Sequence, residues 1–388
     1  MNQNEELNLR RRRVREAMLE TGADACVIGV SVNIFYLTGT VFGGYIYLPA
    51  EGDCRLFVRR PQPFDGEDFT YIRKIEDITD IFRNENREFP RKILLETDEL
   101  SYKECTRLRG AFGMPEIGDA TTLLRRARMI KTPYEIEQMR YSAERHAITY
   151  AEIPSCYRAG MTDLEFQAEI ERRMRLNGSV GFFSVFGINM NIFMGSVLTG
   201  DNAEAASPFD FALGGKGQTP LCPIGANGTK LREGMAVMVD MAGNYSPYLT
   251  DMTRVFSVGK LRETALSAHK TALEIQDAFV ENARPGVSCA TLYEQSLSIA
   301  ERAGLAGCFM GTRQQAKFVG HGIGLHINEL PVLAPRSKDV LQEGMTIALE
   351  PKFVIAGVGA VGVENSFLVT ATGVEKLTVF CEDIIPLG

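Results

Sequence analysis

The sequence lacks the patterns that mark several common protein classes. Its eight cysteines include no C-x-x-C pair, which argues against a zinc knuckle or a disulfide framework and favours reduced thiols. No apolar stretch approaches the roughly 18–20 residues that a membrane span needs, and the N-terminus lacks the order of a signal peptide. With a net charge of −7, the chain has no basic excess to attract nucleic acid. We therefore expect a cytoplasmic protein with neither a membrane nor a nucleic-acid partner.

The length and the order of patterns predict two domains. The 388 residues suffice for two, and residues 8–125 alternate helix-like with strand-like segments, as in a modest α/β domain. Thr132, Pro133 and Glu135 are typical of a helix start, with proline in the first turn and an acid near the positive end of the dipole. We place the boundary just before this helix, which predicts domains at 1–127 and 128–388.

The second predicted domain contains an internal repeat. Residues 231–240 (LREGMAVMVD) read against residues 341–350 (LQEGMTIALE), and each copy is a turn, an apolar strand and a final acid. A helix, a glycine-containing break and a second helix also occur twice, with the breaks at residues 158–162 and 284–288. These repeats predict that 128–388 is a duplicated α+β domain, in an overall two-domain α/β architecture.

The repeated strands deliver acids in pairs. Asp240 is followed by Asp251, and Glu350 is followed by Glu364. A buried unpaired carboxylate is costly, so such acids usually hold a cation or a base. His321 lies between glycines that leave its imidazole accessible. Four carboxylates and one imidazole suit a pair of hard or borderline divalent ions, and such a pair is used for hydrolysis of an amide or ester.

The segments around these residues resemble a known family. Its members include prolidase, aminopeptidase P and methionine aminopeptidase, which share the pita-bread fold with creatinase. The matching segments are 248–254 (YLTDMTR), 320–325 (GHGIGL), 349–351 (LEP) and 363–365 (VEN). Residues 33–39 (NIFYLTG) look like the creatinase and prolidase N-terminal domain, which disfavours the single-domain methionine aminopeptidases.

The resemblance implies a role for each predicted ligand. Asp240 would chelate one ion, Asp251 and Glu364 would bridge the pair, and His321 and Glu350 would hold the other ion. Glu350 would also accept and then donate a proton for the attacking water. The resemblance further implies two divalent ions per chain (manganese favoured over cobalt, zinc or iron), a short peptide substrate cleaved beside proline, and a homodimer.

Two departures from the family concern substrate handling. Peptide-cleaving relatives carry a histidine before the first metal aspartate, whereas this chain has Cys222 followed by Pro223. They carry a second histidine before a glutamate, whereas Asn328 stands here. Asn328 can still donate a hydrogen bond through its amide, and His326 lies two residues earlier, so both join Glu350 as candidate catalytic residues. Cys222 is a poor donor, and no base near it in the sequence supports a nucleophilic role.

Three functions compete at this point. The first is metal-dependent hydrolysis of an Xaa-Pro peptide by a dipeptidase or an aminopeptidase. The second is hydrolysis of a non-peptide C–N substrate, as in creatinase-like and ectoine-hydrolase-like relatives. The third is a non-catalytic pita-bread binding protein, against which the intact set of acids argues, since these would be strongly destabilising without cations. His146 and His269 lie in predicted helices with no partner pattern and are interpreted as structural or surface residues.

Overall fold

The chain folds into two compact units, each with its own core. The computed structural model describes residues 3–66, 68–187, 193–209 and 211–388. Contacts divide the chain after Arg128, so that residues 1–128 form one unit and residues 129–388 form the other. Within the described ranges, every helix is too short or too polar to cross a bilayer.

The first unit is built on a mixed six-stranded sheet. The strand order is β4-β3-β2-β1-β5-β6, in which β1 pairs antiparallel with β2 and parallel with β5. Its strands are β1 (Ala25–Ile28), β2 (Gly43–Pro49), β3 (Arg55–Arg60), β4 (Phe69–Tyr71), β5 (Lys92–Leu95) and β6 (Glu116–Asp119). Its helices are α1 (Gln3–Leu19), α2 (Ser31–Thr38), α3 (Asp77–Asn84), α4 (Tyr102–Ala111) and α5 (Thr121–Met129), the last of which reaches the boundary.

The second unit repeats one arrangement of two helices followed by strands. The first copy contains α6 (Pro133–Glu152), α7 (Asp163–Leu176), β7 (Gly195–Thr199), β8 (Met235–Gly243) and β9 (Thr250–Val258). The second begins with α8 (Glu263–Asn282) and α9 (Cys289–Arg302), followed by β10 (Gly320–Gly322), β11 (Glu329–Leu333), β12 (Thr346–Leu349), β13 (Lys352–Ile355), β14 (Gly359–Gly362), β15 (Asn365–Val369), β16 (Val374–Lys376) and β17 (Ile385–Leu387). The predicted duplicated α+β fold is therefore confirmed.

Each helix pair covers the outer face of a sheet. The β17-β9-β8-β7 sheet packs against α6 and α7 through buried residues such as Tyr150 and Phe166, and the β11-β10-β12-β15-β16 sheet packs against α8 and α9. Phe279 of α8 meets Phe367 of β15 with ring centroids 5.2 Å apart. Burial of apolar side chains on both outer faces holds the strands as a rigid frame for the polar groups between them.

The helix starts follow from capping chemistry. At α6, Thr132 accepts a hydrogen bond from the Glu135 N–H, while the Glu135 carboxylate accepts from the Thr132 N–H at 2.8 Å. Thr162 and Glu165 form the same reciprocal pair at α7. These capping boxes satisfy N–H groups that lack a partner within the helix. The predicted start at Thr132 is confirmed.

One detail differs from the prediction for the repeated strands. Asp240 lies inside β8, which continues to Gly243, because the chain stays paired with β9 beyond the acid. Strand β7, in the long segment between α7 and β8, pairs with β8. Gly195 lies at the start of that strand because a Cβ there would come within 2.2 Å of the Asp240 carbonyl oxygen.

Candidate metal centre

Strand register places the first two acids side by side. In the pairing of β8 with β9, Asp240 lies opposite Thr253, and Asp251 lies opposite Ala242. Residues two apart on a strand face the same way, so both carboxylates project from one face of the sheet. Their positions depend on a paired strand rather than on a loop, which gives the rigidity that a metal centre requires.

Buried hydroxyl groups hold the backbone at these acids. Tyr150 accepts from the Met241 N–H at 3.2 Å and donates to the carbonyl of Met252. Ser366 accepts from the Asp251 N–H at 2.9 Å and donates to the Asp251 carbonyl at 3.1 Å. Because these backbone groups are buried, each hydrogen bond satisfies a polar group that would be costly to leave without a partner. The bonds also link α6 and β15 to the strands that carry the acids.

Arg254 is a further buried brace. Its guanidinium donates to the Glu364 carbonyl at 2.9 Å, to the Asn365 side chain at 2.9 Å and to the Cys381 carbonyl at 2.7 Å. Arg254 and Asp251 are three residues apart on one strand, so they face opposite sides of the sheet. Arg254 therefore does not serve as the ion-pair partner of Asp251, although the two lie close in the sequence. Arg254 holds the segment at Glu364 instead.

His321 is positioned by close backbone contacts. It lies in β10, and a Cβ on Gly320 or Gly322 would come within 2.5 Å of the Ala348 carbonyl or 2.0 Å of the Leu330 carbonyl. The His321 Nδ1 lies 3.0 Å from the Gly322 carbonyl oxygen. A carbonyl can only accept, so Nδ1 carries the proton and Nε2 keeps its lone pair. This is the tautomer that a metal ligand needs.

Three side chains converge with the geometry of an ion site. Asp251, His321 and Glu364 each offer one ligand atom, and these atoms lie within 4.8 Å of one another. The Glu364 Oε1 atom is buried and makes no hydrogen bond in the structure. A buried carboxylate oxygen without a donor is costly unless a cation faces it. This part of the cluster fits one divalent ion bound by two carboxylates and an imidazole.

The structure adds a residue that the sequence did not single out. Lys352 is buried, and its Nζ lies 2.8 Å from Asp240 Oδ2, 2.7 Å from Glu350 Oε2 and 2.9 Å from Glu364 Oε2. A carboxylate oxygen binds a divalent ion at about 2.0–2.2 Å. A second ion on Asp240 and Glu364 would therefore lie against the ammonium group. With Lys352 in this position, the residues fit one ion and do not fit the predicted second.

A sequence signal for Lys352 was available. It stands two residues after Glu350, and an extended chain places residues two apart on the same side. It also begins an otherwise apolar run, Phe353–Ile355, where a charged residue is unexpected. A lysine that shares a face with a predicted ligand is a candidate partner of the same cluster.

The pKa shifts separate the acids by their partners. Burial raises the pKa of Asp251 well above its ordinary value, and the nearby charges of Glu364 and Asp240 add to the effect. Burial also raises the pKa of Asp240, but the Lys352 ammonium partly offsets this. Burial lowers the pKa of Lys352, and the surrounding carboxylates outweigh it, so that this pKa stays well above its ordinary value. Asp251 is thus the acid that still needs a cation.

The residues predicted to contact substrate lie in a braced segment. The Glu329 carboxylate accepts from the Leu325 and His326 N–H groups at 3.1 and 3.2 Å, and Lys131 pairs with it at 2.8 Å. The Asn328 amide accepts from the Phe186 N–H and donates to the Phe186 carbonyl, both at 2.8 Å. His326 is buried. The predicted roles of His326 and Asn328 toward substrate stay predictions.

The other residues considered from the sequence have structural surroundings. His146 is buried, with Nδ1 at 3.2 Å from the Thr250 hydroxyl, and burial lowers its pKa to about 3. His269 Nε2 lies 2.7 Å from the Glu382 carbonyl. Cys222 is partly buried in a turn, where its N–H donates to the Thr219 carbonyl at 3.0 Å. These contacts are those of residues that support the fold.

The second unit is a duplicated α+β domain whose strands, braced by helices, bring four carboxylates and one imidazole together. These features define a hydrolase of the pita-bread class. Comparison with known proteins agrees with this class. The model of Metallopeptidase family M24 matches residues 137–371, and that of the Creatinase/Prolidase N-terminal domain matches residues 10–130. The chain belongs to metallopeptidase family M24, and its N-terminal part is a creatinase/prolidase N-terminal domain.

Similar proteins and solved structures align with nearly the whole chain. An Xaa-Pro dipeptidase of Pyrococcus furiosus is 25% identical over 369 residues, which span 93% of this chain and 95% of the relative. An uncharacterised peptidase of Staphylococcus haemolyticus is 28% identical over 372 residues, 92% of this chain and 95% of that protein. The structure of an Xaa-Pro dipeptidase from Bacillus anthracis superimposes with a TM-score of 0.81 at 23% identity, covering 98% and 100% of the two chains.

Proposed function

We propose that this protein hydrolyses the Xaa-Pro bond of a short peptide with the help of a bound divalent metal ion. The observation that carries the proposal is the convergence of Asp251, His321 and Glu364 on one ion position. Family membership supports hydrolysis of a peptide. The choice of a proline-adjacent bond is supported by the named relatives, among them the Xaa-Pro dipeptidase of Pyrococcus furiosus.

The site residues divide the work as follows. Asp251, His321 and Glu364 would hold the ion, which would polarise the scissile carbonyl and lower the pKa of a bound water. Glu350, with Oε1 at 3.5 Å from His321 Nε2, lies beside this position. Glu350 takes up the proton of the attacking water and returns it to the leaving nitrogen. Asp240 orients the Lys352 ammonium, which it meets at 2.8 Å.

Substrate handling falls to the braced segment from 324 to 329. We assign His326 as the hydrogen-bond donor toward the substrate carbonyl, since Cys222 and Asn328 stand where peptide-cleaving relatives carry histidines. Asn328 has both amide atoms engaged with Phe186, so we assign it a positioning role. A single donor at a developing oxyanion contributes about 10²–10³ to the rate.

Several finer properties belong to the same proposal. Manganese is the first ion to test, because carboxylate-rich sites accept it readily. The predicted homodimer and cytoplasmic location are retained as proposals. The eight unpaired cysteines support a reducing compartment.

The test is a panel of Xaa-Pro dipeptides and tripeptides with the manganese-loaded protein. Asp251→Asn is the blank, because it removes a charged group from the ion position. Asp277→Asn, on an exposed turn of α8, is the matched control and should keep full activity. Cleavage of dipeptides identifies a dipeptidase, whereas cleavage of longer peptides alone identifies an aminopeptidase. If the manganese-loaded protein cleaves neither dipeptides nor longer peptides, the peptide proposal is wrong, and non-peptide amides are the next substrates to test.

A further inference from the structure

Lys352 is a fully enclosed cation at the centre of the cluster. It is among the largest buried side chains of the described chain, with 1% of its surface exposed, and its Nζ contacts three carboxylates. Lysine is seldom buried unless it is paired. Here the pairing is with three of the four acids whose spacing in the sequence predicts a two-ion centre.

The two glutamates divide their oxygens between this lysine and the ion position. Glu350 directs Oε2 to the Lys352 ammonium, while its Oε1 lies 3.5 Å from His321 Nε2. Glu364 directs Oε2 to Lys352 and to the Thr253 hydroxyl, while its Oε1 is buried without a hydrogen bond. Each carboxylate therefore directs one oxygen to the ammonium group and the other to the side of the cluster where the ion position lies.

We infer that the Lys352 ammonium permanently takes the place of one metal ion, so that the centre holds a single divalent ion at Asp251, His321 and Glu364. Asp240 distinguishes the lysine position from the ion position, because it belongs only to the first. Its carboxylate accepts from Lys352 at 2.8 Å, whereas the three groups that converge on the ion position do not include it. The lysine thus neutralises the acids on one side, and the ion neutralises those on the other.

The backbone at Lys352 resists its displacement by a second ion. Lys352 begins β13 and pairs with Gly362 of β14, and a Cβ on Gly362 would come within 2.8 Å of the Lys352 Cα. The next residue, Phe353, is fully buried and packs on Phe309 with ring centroids 5.1 Å apart. An ammonium pushed out of the cluster would lose three carboxylate partners while its side chain stays held by a fixed strand, which is unfavourable. A second ion must therefore compete with a cation that is tethered in place.

The ion count per chain tests the inference directly. The full-length protein is saturated with Mn²⁺, freed of excess ion by dialysis, and measured by elemental analysis. We expect one Mn²⁺ per chain in the wild type and two in Lys352→Ala, which vacates the second position. Lys131→Ala is the matched control, because it removes a buried lysine that pairs with Glu329. That control should stay at one ion.

Electron paramagnetic resonance gives a second reading that does not depend on a variant folding. An isolated Mn²⁺ in the wild type gives a six-line hyperfine pattern, whereas two ions bridged by carboxylates give a spin-coupled spectrum. Two ions in the wild type, a coupled wild-type spectrum, or a single ion in a folded Lys352→Ala would each overturn the inference. It rests on the metal ligands of the proposed function. Since no substrate is used, its failure is distinguishable from failure of the peptide panel.

Discussion

The acids of the centre differ in the cation that each one faces. Asp240 accepts from the Lys352 ammonium at 2.8 Å, and its side chain remains 21% exposed. The Asp251 carboxylate is buried and converges with His321 and Glu364, and its one hydrogen bond from the described residues is the 3.2 Å bond from the Met252 N–H. The same chemical change should therefore have different consequences at the two aspartates.

Replacement of each aspartate by asparagine separates the two roles. In Asp251→Asn the ion position loses a charged ligand, so we expect Mn²⁺ affinity to fall by at least about 10²-fold. In Asp240→Asn the lysine loses one of three carboxylate partners, and one ion should still bind with less than about a tenfold loss. Isothermal titration of the full-length variants with Mn²⁺ measures both values, with Asp277→Asn as the surface control. Equal losses in the two variants would contradict the division of the site.

Sequence patterns located most of these residues but missed their central cation. The predicted ligands stand in repeated strand segments or in short motifs that resemble a known family, so they could be selected without a structure: Asp240, Asp251, His321, Glu350 and Glu364. Lys352 was missed although it stands two residues after Glu350, because a single lysine near a strand start is usually a solvent-exposed residue. Its burial depends on the long-range placement of three acids, which no local pattern reports.

At the level of elements, the segment from 324 to 329 is held from two sides. The Glu329 carboxylate accepts from two of its N–H groups, and Asn328 ties it to Phe186 by two hydrogen bonds of 2.8 Å. The Ile327 N–H also donates to the Ser184 carbonyl at 3.0 Å. The segment is thus fixed to the chain around residues 184–186, which positions His326.

Alanine replacements distinguish contact with substrate from positioning. His326→Ala should lower kcat on a cleaved peptide by about 10², with little change in amide exchange, because it removes a donor to the substrate carbonyl. Asn328→Ala removes two hydrogen bonds worth about 1 kcal/mol each, so exchange should accelerate at the Phe186 amide. Hydrogen-exchange mass spectrometry and steady-state kinetics on both variants provide the comparison. An unchanged kcat in His326→Ala would remove His326 from the site.

Element prediction succeeded where local chemistry was strong. The α7 helix (Asp163–Leu176) follows the break at 158–162 as predicted, because its start carries a capping box and its length allows a clear period. Helices α2 and α3 and strands β4 and β6 in the first unit were not predicted. The strands are three and four residues long, and the helices have eight residues each. Segments this short form through sheet pairing and burial rather than through local preference.

At the scale of the whole molecule, each unit carries a buried acid network of its own. In the first unit the Glu96 carboxylate accepts from the Gly29 and Val30 N–H groups at 2.7 and 2.9 Å and from the Asn33 amide at 2.7 Å. Two of these donors precede α2 and the third lies in its first turn, so a residue after β5 fixes the backbone that enters a distant helix. Burial nevertheless raises the pKa of Glu96 to about 7, against this stabilisation by hydrogen bonds.

This pKa predicts how the stability of the first unit depends on pH. Between the unfolded value of about 4.5 and the folded value of about 7, the folded state retains a proton that the unfolded chain has released. Stability from Glu96 is therefore full below pH 4.5, falls as pH rises towards 7, and is constant above. The loss amounts to about 3 kcal/mol. Glu96→Gln has no such titration, so the wild type should lose about this much relative to the variant between pH 4.5 and pH 8.

This difference is measured by urea unfolding of the full-length wild type and Glu96→Gln. Unfolding is followed by hydrogen-exchange mass spectrometry at peptides from β1 and β5, which belong to the unit that contains Glu96. Comparison at each pH removes both the intrinsic pH dependence of exchange and any constant effect of the substitution. The difference in unfolding free energy between the wild type and Glu96→Gln could instead stay constant, or shift in favour of the wild type, as pH rises. That result would mean that the three hydrogen-bond donors outweigh burial in setting the pKa of Glu96. Glu96 would then be ionised throughout, and the buried carboxylate would hold the entry to α2 as an anion without a proton to release.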